Sequence, residues 1–399
     1  MKMETLLFES LKNGPEGTTL RERTPNGIKR RYSPKESTTM NIMMRSATRF
    51  VVRLTVAIVL LGLAFAPAFV PQAQAGNTNR TGTAGAQELL IPVGGRGVAL
   101  GSSNIAFSTG VDAIYWNPAG VARSTFGTEA YFSHMSYFAG IGVDYGALSV
   151  GFSGVGTFAA SFKSISFGNI DVTTEANPDG TGVTYSPTYI VAGLTYSRQL
   201  TDRISVGANF NYISETIVNT SAGGFAFDAG VQYNGLLVPE LKLGVVLKNL
   251  GPNMTYSGPN LLRQGTTVGD IRGTQWYSVN AASFELPSQL EIGLAYDRKI
   301  NDMNDVTIFG AFQNNNYSSD LYNVGLEYGF DNILFVRGGY NFAPQAPKDQ
   351  LGQSENIYDF TLGAGINYNL GAFNFTFDYA YQHAVILTSN NVFTVKLGF

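Results

Sequence analysis

From about Thr128 to Phe399 the chain follows a two-residue rhythm. Phe225, Phe227, Ala229, Val231 and Tyr233 alternate with Ala226, Asp228, Gly230 and Gln232, which places the two sets on opposite faces of one strand. Leu290, Ile292, Leu294 and Tyr296 alternate in the same way with Glu291, Gly293, Ala295 and Asp297. Val324, Leu326, Tyr328 and Phe330 oppose Gly325, Glu327 and Gly329, and Phe373, Phe375, Phe377 and Tyr379 oppose Asn374, Thr376 and Asp378. One face is large and apolar, and the other carries small residues with single charges. That division fits strands with lipid on one side and a wet or plugged lumen on the other.

Alternating segments run over 128–137, 140–152, 156–167, 185–199, 203–217, 223–234, 240–250, 277–286, 289–299, 305–313, 321–330, 333–342, 357–369, 372–384 and 391–399. A closed antiparallel bacterial barrel has an even strand count. Fourteen strands are therefore expected, with one of the fifteen pieces spurious or merged. A soluble sandwich or solenoid also alternates, but its strands average five or six residues. Here Tyr137, Tyr212, Tyr296, Phe330 and Tyr368 sit near segment ends, as interfacial girdles require. The final strand, Asn391 to Phe399, turns Phe393, Val395, Leu397 and Phe399 to one side. Phe399 is the expected barrel-assembly signal, because an open strand edge in lipid leaves backbone groups without partners. The links Gln199–Asp202, Pro287–Ser288 and Leu370–Gly371 are short, whereas 168–184, 251–276 and 343–356 are long and rich in Gly, Pro, Asn and Asp. Short turns are expected on the periplasmic side and long loops outside.

The segment ahead of the barrel reads differently. Arg45, Arg49 and Arg53 precede an apolar run from Leu54 to Phe69, followed by Ala73-Gln74-Ala75. This is a secretory signal pattern with a small-residue cleavage site, and residues 40–75 are assigned to it. Residues 1–39 are polar and of mixed charge, and are expected to be a mis-called extension with Met40, Met43 or Met44 as the true start. Gly76 to Thr83 reads as a flexible lead and Ala84 to Leu90 as a short helical turn. Residues 76–125 show no strand period and are expected to form an N-terminal plug, with the barrel over 126–399.

From Gly76 onward there are 15 Lys and Arg against 24 Asp and Glu, a net charge of -9. An acidic exported chain has no basic face for nucleic acid. It contains no cysteine, which removes disulfides, thiol nucleophiles and thiolate metal sites. The 46 glycines of the full sequence show no three-residue period, so collagen is excluded.

Gly82-Thr-Ala-Gly-Ala-Gln87, Leu90-Ile-Pro-Val-Gly-Gly-Arg-Gly-Val-Ala-Leu-Gly101 and Asp112-Ala-Ile-Tyr-Trp-Asn-Pro-Ala-Gly120 resemble the start of the PorV/PorQ family, which is related to FadL-type outer-membrane transport barrels. The resemblance implies an all-β, transmembrane antiparallel barrel of about fourteen strands, FadL-like, with the N-terminal segment folded into or under the lumen. It implies a role in protein export or surface attachment of the type IX secretion kind. The alternatives are a FadL-type channel for hydrophobic solutes such as long-chain fatty acids, and a structural or adhesion barrel. Expected partners are outer-membrane lipid and lipopolysaccharide, the barrel assembly machinery, and either secretion components with their cargo or a hydrophobic small molecule.

Within the plug, Pro118 fixes its own backbone and restricts Asn117, and Asn117 is placed to cap a turn. Trp116, Asn117, Pro118 and Gly120 therefore read as a rigid turn where the plug meets the wall, with direct ligand contact as the alternative. Arg96, between Gly94-Gly95 and Gly97, either spans the lumen to a wall carboxylate or stays in solvent. The Gly-x-Gly spacing around it lacks the strand and helix of a dinucleotide loop. The inward-parity acids Asp228, Glu291, Asp297, Glu327 and Asp378 could in principle do acid–base work. They are spread over separate strands with no nucleophile group, so lumen polarity is the reading. The two histidines, His134 and His383, show no ligand spacing, and Asp297, Asp302 and Asp305 lack a calcium-loop pattern. No enzyme activity, cofactor or metal is expected.

Overall fold

The structure is a computed structural model that describes residues 80–266, 273–344, 346, 356–371 and 373–399. The expected extension 1–39, the signal peptide 40–75 and residues 76–79 of the lead lie outside the described residues. The barrel strands are β1 (Thr128–Ser136), β2 (Gly142–Phe152), β3 (Gly156–Ser166), β4 (Thr188–Gln199), β5 (Ile204–Ile217), β6 (Thr220–Asn234) and β7 (Leu241–Leu250). They continue with β8 (Gln289–Lys299), β9 (Asn304–Asn315), β10 (Leu321–Phe330), β11 (Leu334–Phe342), β12 (Tyr358–Asn369), β13 (Asn374–Ala384) and β14 (Asn390–Gly398). These fourteen strands form one closed antiparallel barrel. β14 pairs with β1 from Glu129↔Gly398 to Ser136↔Asn391, so no edge is left open to lipid.

The outward face is what a hydrocarbon environment demands. Phe132, Phe158, Leu194, Phe210, Phe225, Ile292, Leu326, Val336, Leu362 and Phe393 are exposed apolar side chains distributed around the circumference. The inward neighbours on the same strands are buried or small, giving β6 an almost strict alternation of exposed and buried positions. Tyr212 lies within β5 and not at its end, so it belongs to the apolar belt, and Tyr137 shares the inward parity of Met135, so neither is a girdle residue.

The piece 277–286 is the spurious segment. Its start belongs to the strand Gln275–Ser278, which pairs with Leu262–Gly265 in a ribbon separate from the barrel, and Phe284 and Glu285 make only isolated bridges to Met254 and Ala84. Alternation reports that a strand has two unlike faces, not which sheet it joins. Residues 251–288 are thus a single connection between β7 and β8, and Pro287-Ser288 closes that connection and is no hairpin turn. Met254 and Leu286 from this connection are buried and pack with Ala86, Leu89, Val191 and Ile213. The six links 153–155, 200–203, 235–240, 300–303, 331–333 and 370–373 share the barrel end that carries Phe399. The long connections, 167–187, 251–288 and 343–357, leave and rejoin the barrel at the other end.

Residues 80–126 precede β1, and most of them fill the lumen. The plug uses short helical turns, Gln87–Leu90, Gly95–Ala99 (α1), Asn104–Ala106, Gly110–Asp112, Ala113–Trp116 (α2) and Pro118–Arg123. Val98, Ala99, Leu100, Ile105, Val111, Ala113 and Val121 are essentially inaccessible. Small residues let the plug backbone approach the wall: a Cβ on Gly339 of β11 would sit 2.4 Å from the Leu100 carbonyl carbon. A Cβ on Gly244 of β7 would sit 2.6 Å from the Ile105 carbonyl oxygen.

Phe399 closes the seam through its backbone. Its N–H donates to the Thr128 carbonyl at 2.8 Å, and its own carbonyl accepts from Gly127 at 2.9 Å and Thr128 at 3.2 Å. Deleting Phe399 removes all three bonds beside the last strand. The expected outcome is a severalfold lower yield of folded barrel, read as the heat-modifiable band on an unboiled gel. An unchanged yield would separate the residue from assembly.

Candidate functional site

The Trp116–Gly120 motif seats in a notch made by two glycines. Gly207 of β5 and Gly230 of β6 are direct cross-strand partners on the inward face. A Cβ on Gly207 would lie 2.3 Å from the Pro118 carbonyl, and one on Gly230 would lie 2.0 Å from Asn117 Oδ1. Asn117 is fully buried and extended, at φ -157° and ψ 105°. Its Oδ1 accepts from the Ala119 N–H at 3.1 Å, capping the following turn. Its Nδ2 donates to the carbonyls of Ile105 and Val231, both at 3.2 Å, so one side chain joins two plug turns and the wall. Trp116 packs on Gly97, where a Cβ would meet its ring at 2.3 Å. Gly120 lies against the Ser108 carbonyl, which leaves no room for a side chain.

Opposite this notch, α1 is held by charge. Arg96 grips Glu327 of β10 with two bonds, Nε to Oε2 at 2.9 Å and Nη2 to Oε1 at 2.8 Å. Arg337 of β11 donates to the same Glu327 at 2.5 Å and to Asp378 of β13 at 2.6 Å. Two guanidinium groups thus balance two carboxylates, and the side chains of Glu327, Arg337 and Asp378 are at most 5 % exposed. Burial works against the Arg96 charge, but the carboxylates of Glu327, Asp112 and Asp378 outweigh it and hold its pKa above the ordinary value. Lys396 of β14 lies 3.3 Å from Asp112 of the plug, and the Gly95 N–H donates to Thr394 at 2.8 Å. The Glu129 carboxylate of β1 accepts from the Val111 N–H at 2.8 Å.

The remaining acids singled out in the sequence also face inward but are not gathered into one site. Asp228 accepts from Asn209, Asn211 and the Asn249 backbone, at 3.0, 2.9 and 2.7 Å. Glu291 pairs with Lys248 at 3.0 Å, and Asp297 lies 3.4 Å from Lys242. Among the described residues no group of three or more His, Asp or Glu side chains has metal-binding geometry. Sequence reading missed the partners: Arg337, Lys163, Lys248 and Lys396. Their inward parity was the available signal, since Arg337 alternates with the outward Val336 and Lys396 with Val395.

The lumen changes character along its length. At the long-loop end, Tyr137 at the end of β1, Ile141 beside β2, Phe167 beyond β3 and Tyr189 on β4 join Ile91 of the plug as half-buried apolar groups. They pack on buried Trp116, Met135, Val143, Ile165, Ala380 and Val392. Phe167 and Tyr189 meet edge to face at 4.9 Å, and Tyr137 and Tyr358 share a hydroxyl bond at 3.0 Å. Amides line the rest of this level, Gln382 and Asn390 beside the end of β1 and Gln289, Asn315, Asn323 and Asn341 on β8 to β11. Deeper down, a cavity of about 40 Å³ lies among Leu89, Tyr115, Lys163, Asn211, Asp228 and Lys248. That is well below the ~150 Å³ that accommodates benzene. At the Phe399 end, two clefts of about 270 Å³ each lie under the plug and share Phe107 and Thr109 in their linings.

Comparison with known proteins returned no matching family model and no matching curated protein. Solved barrels do match in layout. The CymD monoaromatic hydrocarbon channel is 14% identical, with 78% of this chain and 98% of that one covered and a TM-score of 0.49. The Pseudomonas putida toluene transporter TodX is 14% identical over 75% and 96%, with a TM-score of 0.48. A Pseudomonas aeruginosa FadL homologue is 12% identical over 77% and 98%, with a TM-score of 0.44. These are likenesses to FadL-type barrels at the level of fold. None of the three is a PorV/PorQ protein, and that resemblance rests on residues 82–120 alone.

Proposed function

We propose that this protein is an outer-membrane barrel of FadL type that captures hydrophobic solutes at its long-loop mouth and passes them inward past a movable plug. The observation that carries the reading is the half-buried apolar lining of that mouth by Ile91, Tyr137, Ile141, Phe167 and Tyr189, set directly over the plug. A lumen filled only with water would not keep such groups on its inner face, because apolar surface exposed to water costs about 25 cal/mol per Å². The small inner cavity means that a solute goes no further unless the plug shifts. The test is uptake of a labelled long-chain hydrocarbon by cells carrying the protein or a Phe167→Glu, Ile141→Glu double variant. Both sites are half-buried, so the barrel should still assemble. The expected result is uptake above the empty strain that falls at least tenfold in the variant. Equal uptake by the variant, or none by the parent, would remove this reading.

A second reading keeps the secretion role, and what favours it is the PorV/PorQ-like text of residues 82–120, which builds the plug. It calls for co-purification with envelope secretion components and for stalled cargo when the gene is deleted.

A further inference from the structure

The leading part of the plug, residues 84–91, crosses beneath the long-loop end as a strap. The Gly85 N–H donates to the Glu285 carbonyl at 3.1 Å, and Arg80 pairs with the Glu285 carboxylate at 2.8 Å. Ala86 and Leu89 insert into the cluster of Val191, Ile213, Ala222, Met254 and Leu286. Tyr115 donates to the Leu89 and Leu90 carbonyls, both at 3.3 Å.

One side chain in this strap is not accounted for by such packing. Glu88 is 3 % exposed, and among the described residues neither of its carboxylate oxygens has a hydrogen-bond partner. The group brought against it from the wall is another carboxyl, Glu215 of β5, also 3 % exposed. Lys163 of β3 is near enough to neutralise Glu88. Its ammonium instead donates to the backbone carbonyls of Glu88 and Ile91, at 2.7 and 2.6 Å. Tyr256 of the 251–288 connection donates to Glu215 Oε2, and Tyr189 of β4 lies beside Tyr256. Lys248 of β7 lies beyond Lys163 and is already paired with Glu291. No donor is therefore left for the oxygens of Glu88 among these neighbours. Two buried carboxylates side by side cannot both carry charge cheaply, but they bond well when they share one proton.

We propose that Glu88 and Glu215 form a proton-sharing pair that clamps the strap to the wall, so that the plug's leading segment is released as pH rises. The clamp acts whatever solute the mouth takes. When the proton is lost, two like charges face each other in a dry site and the bond becomes a repulsion. Burial first, and the Glu215 carboxylate second, push the Glu88 carboxyl from its ordinary 4.5 up to about 8. A raised carboxyl pKa favours the docked state fully below about 4.5, progressively less up to about 8, and not at all above it. Docking should weaken by up to tenfold per pH unit inside that window and stay level beyond it. A released strap uncovers the small cavity whose wall includes Leu89 and Lys163.

The test is amide hydrogen exchange of the folded protein in detergent from pH 5 to 9, corrected for intrinsic exchange, read at Gly85 and Leu89. The expected result is protection that falls by more than tenfold between pH 5 and 8 and then levels, while β10 amides stay constant. In Glu88→Gln the fall should shrink to less than twofold, since a neutral amide bonds to Glu215 at every pH. Glu215→Gln tests the same point from the wall side and covers the case in which the first variant assembles poorly. Protection independent of pH in the parent, or an equal fall in both variants, would overturn the proposal.

Discussion

Replacing Arg96 with Met should unseat the plug while leaving the barrel closed. Arg96 and Arg337 balance Glu327 and Asp378, and three of these four side chains are at most 5 % exposed. Removing Arg96 alone leaves one uncompensated negative charge in that cluster. Breaking a buried pair in this way costs about 3–5 kcal/mol. The cost falls on plug docking, because Arg96 lies on α1 whereas Glu327, Arg337 and Asp378 lie on β10, β11 and β13. A loss of that size weakens docking by at least about a hundredfold. Planar-bilayer recording should change from rare openings in the parent to sustained conductance in Arg96→Met. The double variant Arg96→Met, Glu327→Met restores neutrality and should recover much of the closed state, because it leaves no orphaned carboxylate. Equal leakage from the single and double variants would mean that the charge balance is not what seats the plug.

Gly207→Val should produce a comparable opening by a different route. Its Cβ would stand 2.3 Å from the carbonyl of Pro118 and 2.6 Å from the Ala119 nitrogen, and both are backbone atoms that cannot rotate away. The Pro118–Arg123 turn would have to lift. Asn117 would then lose its bonds to Ile105 and Val231, leaving its buried Nδ2 without an acceptor at about 1–3 kcal/mol, while the Ile105 carbonyl keeps its bond from Gln232. Overpacking adds about 1–3 kcal/mol. Gly146→Val is the matched control, since its Cβ meets nothing within 4 Å. The Gly207 variant should conduct and become sensitive to protease in the plug, while the Gly146 variant behaves as the parent. A silent Gly207→Val would mean that the motif does not depend on the two-glycine notch.

The barrel was legible because lipid imposes one simple rule on every strand. Phe225 and Phe227 against Ala226 and Asp228 report the two solvents directly, and the closing strand to Phe399 reports the seam. The 277–286 piece failed because its alternation belongs to a ribbon outside the barrel and to a buried return through Leu286. The plug carried less signal, since short helical turns have no lasting period. Its motif could be recognised as a rigid turn, but its seat could not. Gly207 and Gly230 look like ordinary small lumen residues until the register places them opposite each other under Asn117. Arg96 lies 231 residues from Glu327, a separation over which no spacing rule operates. Glu88 was passed over because one acid in an aperiodic segment looks like a solvated side chain.

The most direct measurement is anomalous diffraction from crystals of the protein grown with a long-chain bromoalkane. A channel that captures hydrophobic solutes predicts bromine inside the long-loop mouth, against Ile91, Met135, Tyr137, Ile165, Phe167 and Tyr189. Bromine confined to the lipid-facing belt around Phe210, Leu326 and Leu362, with none at the mouth, would contradict it.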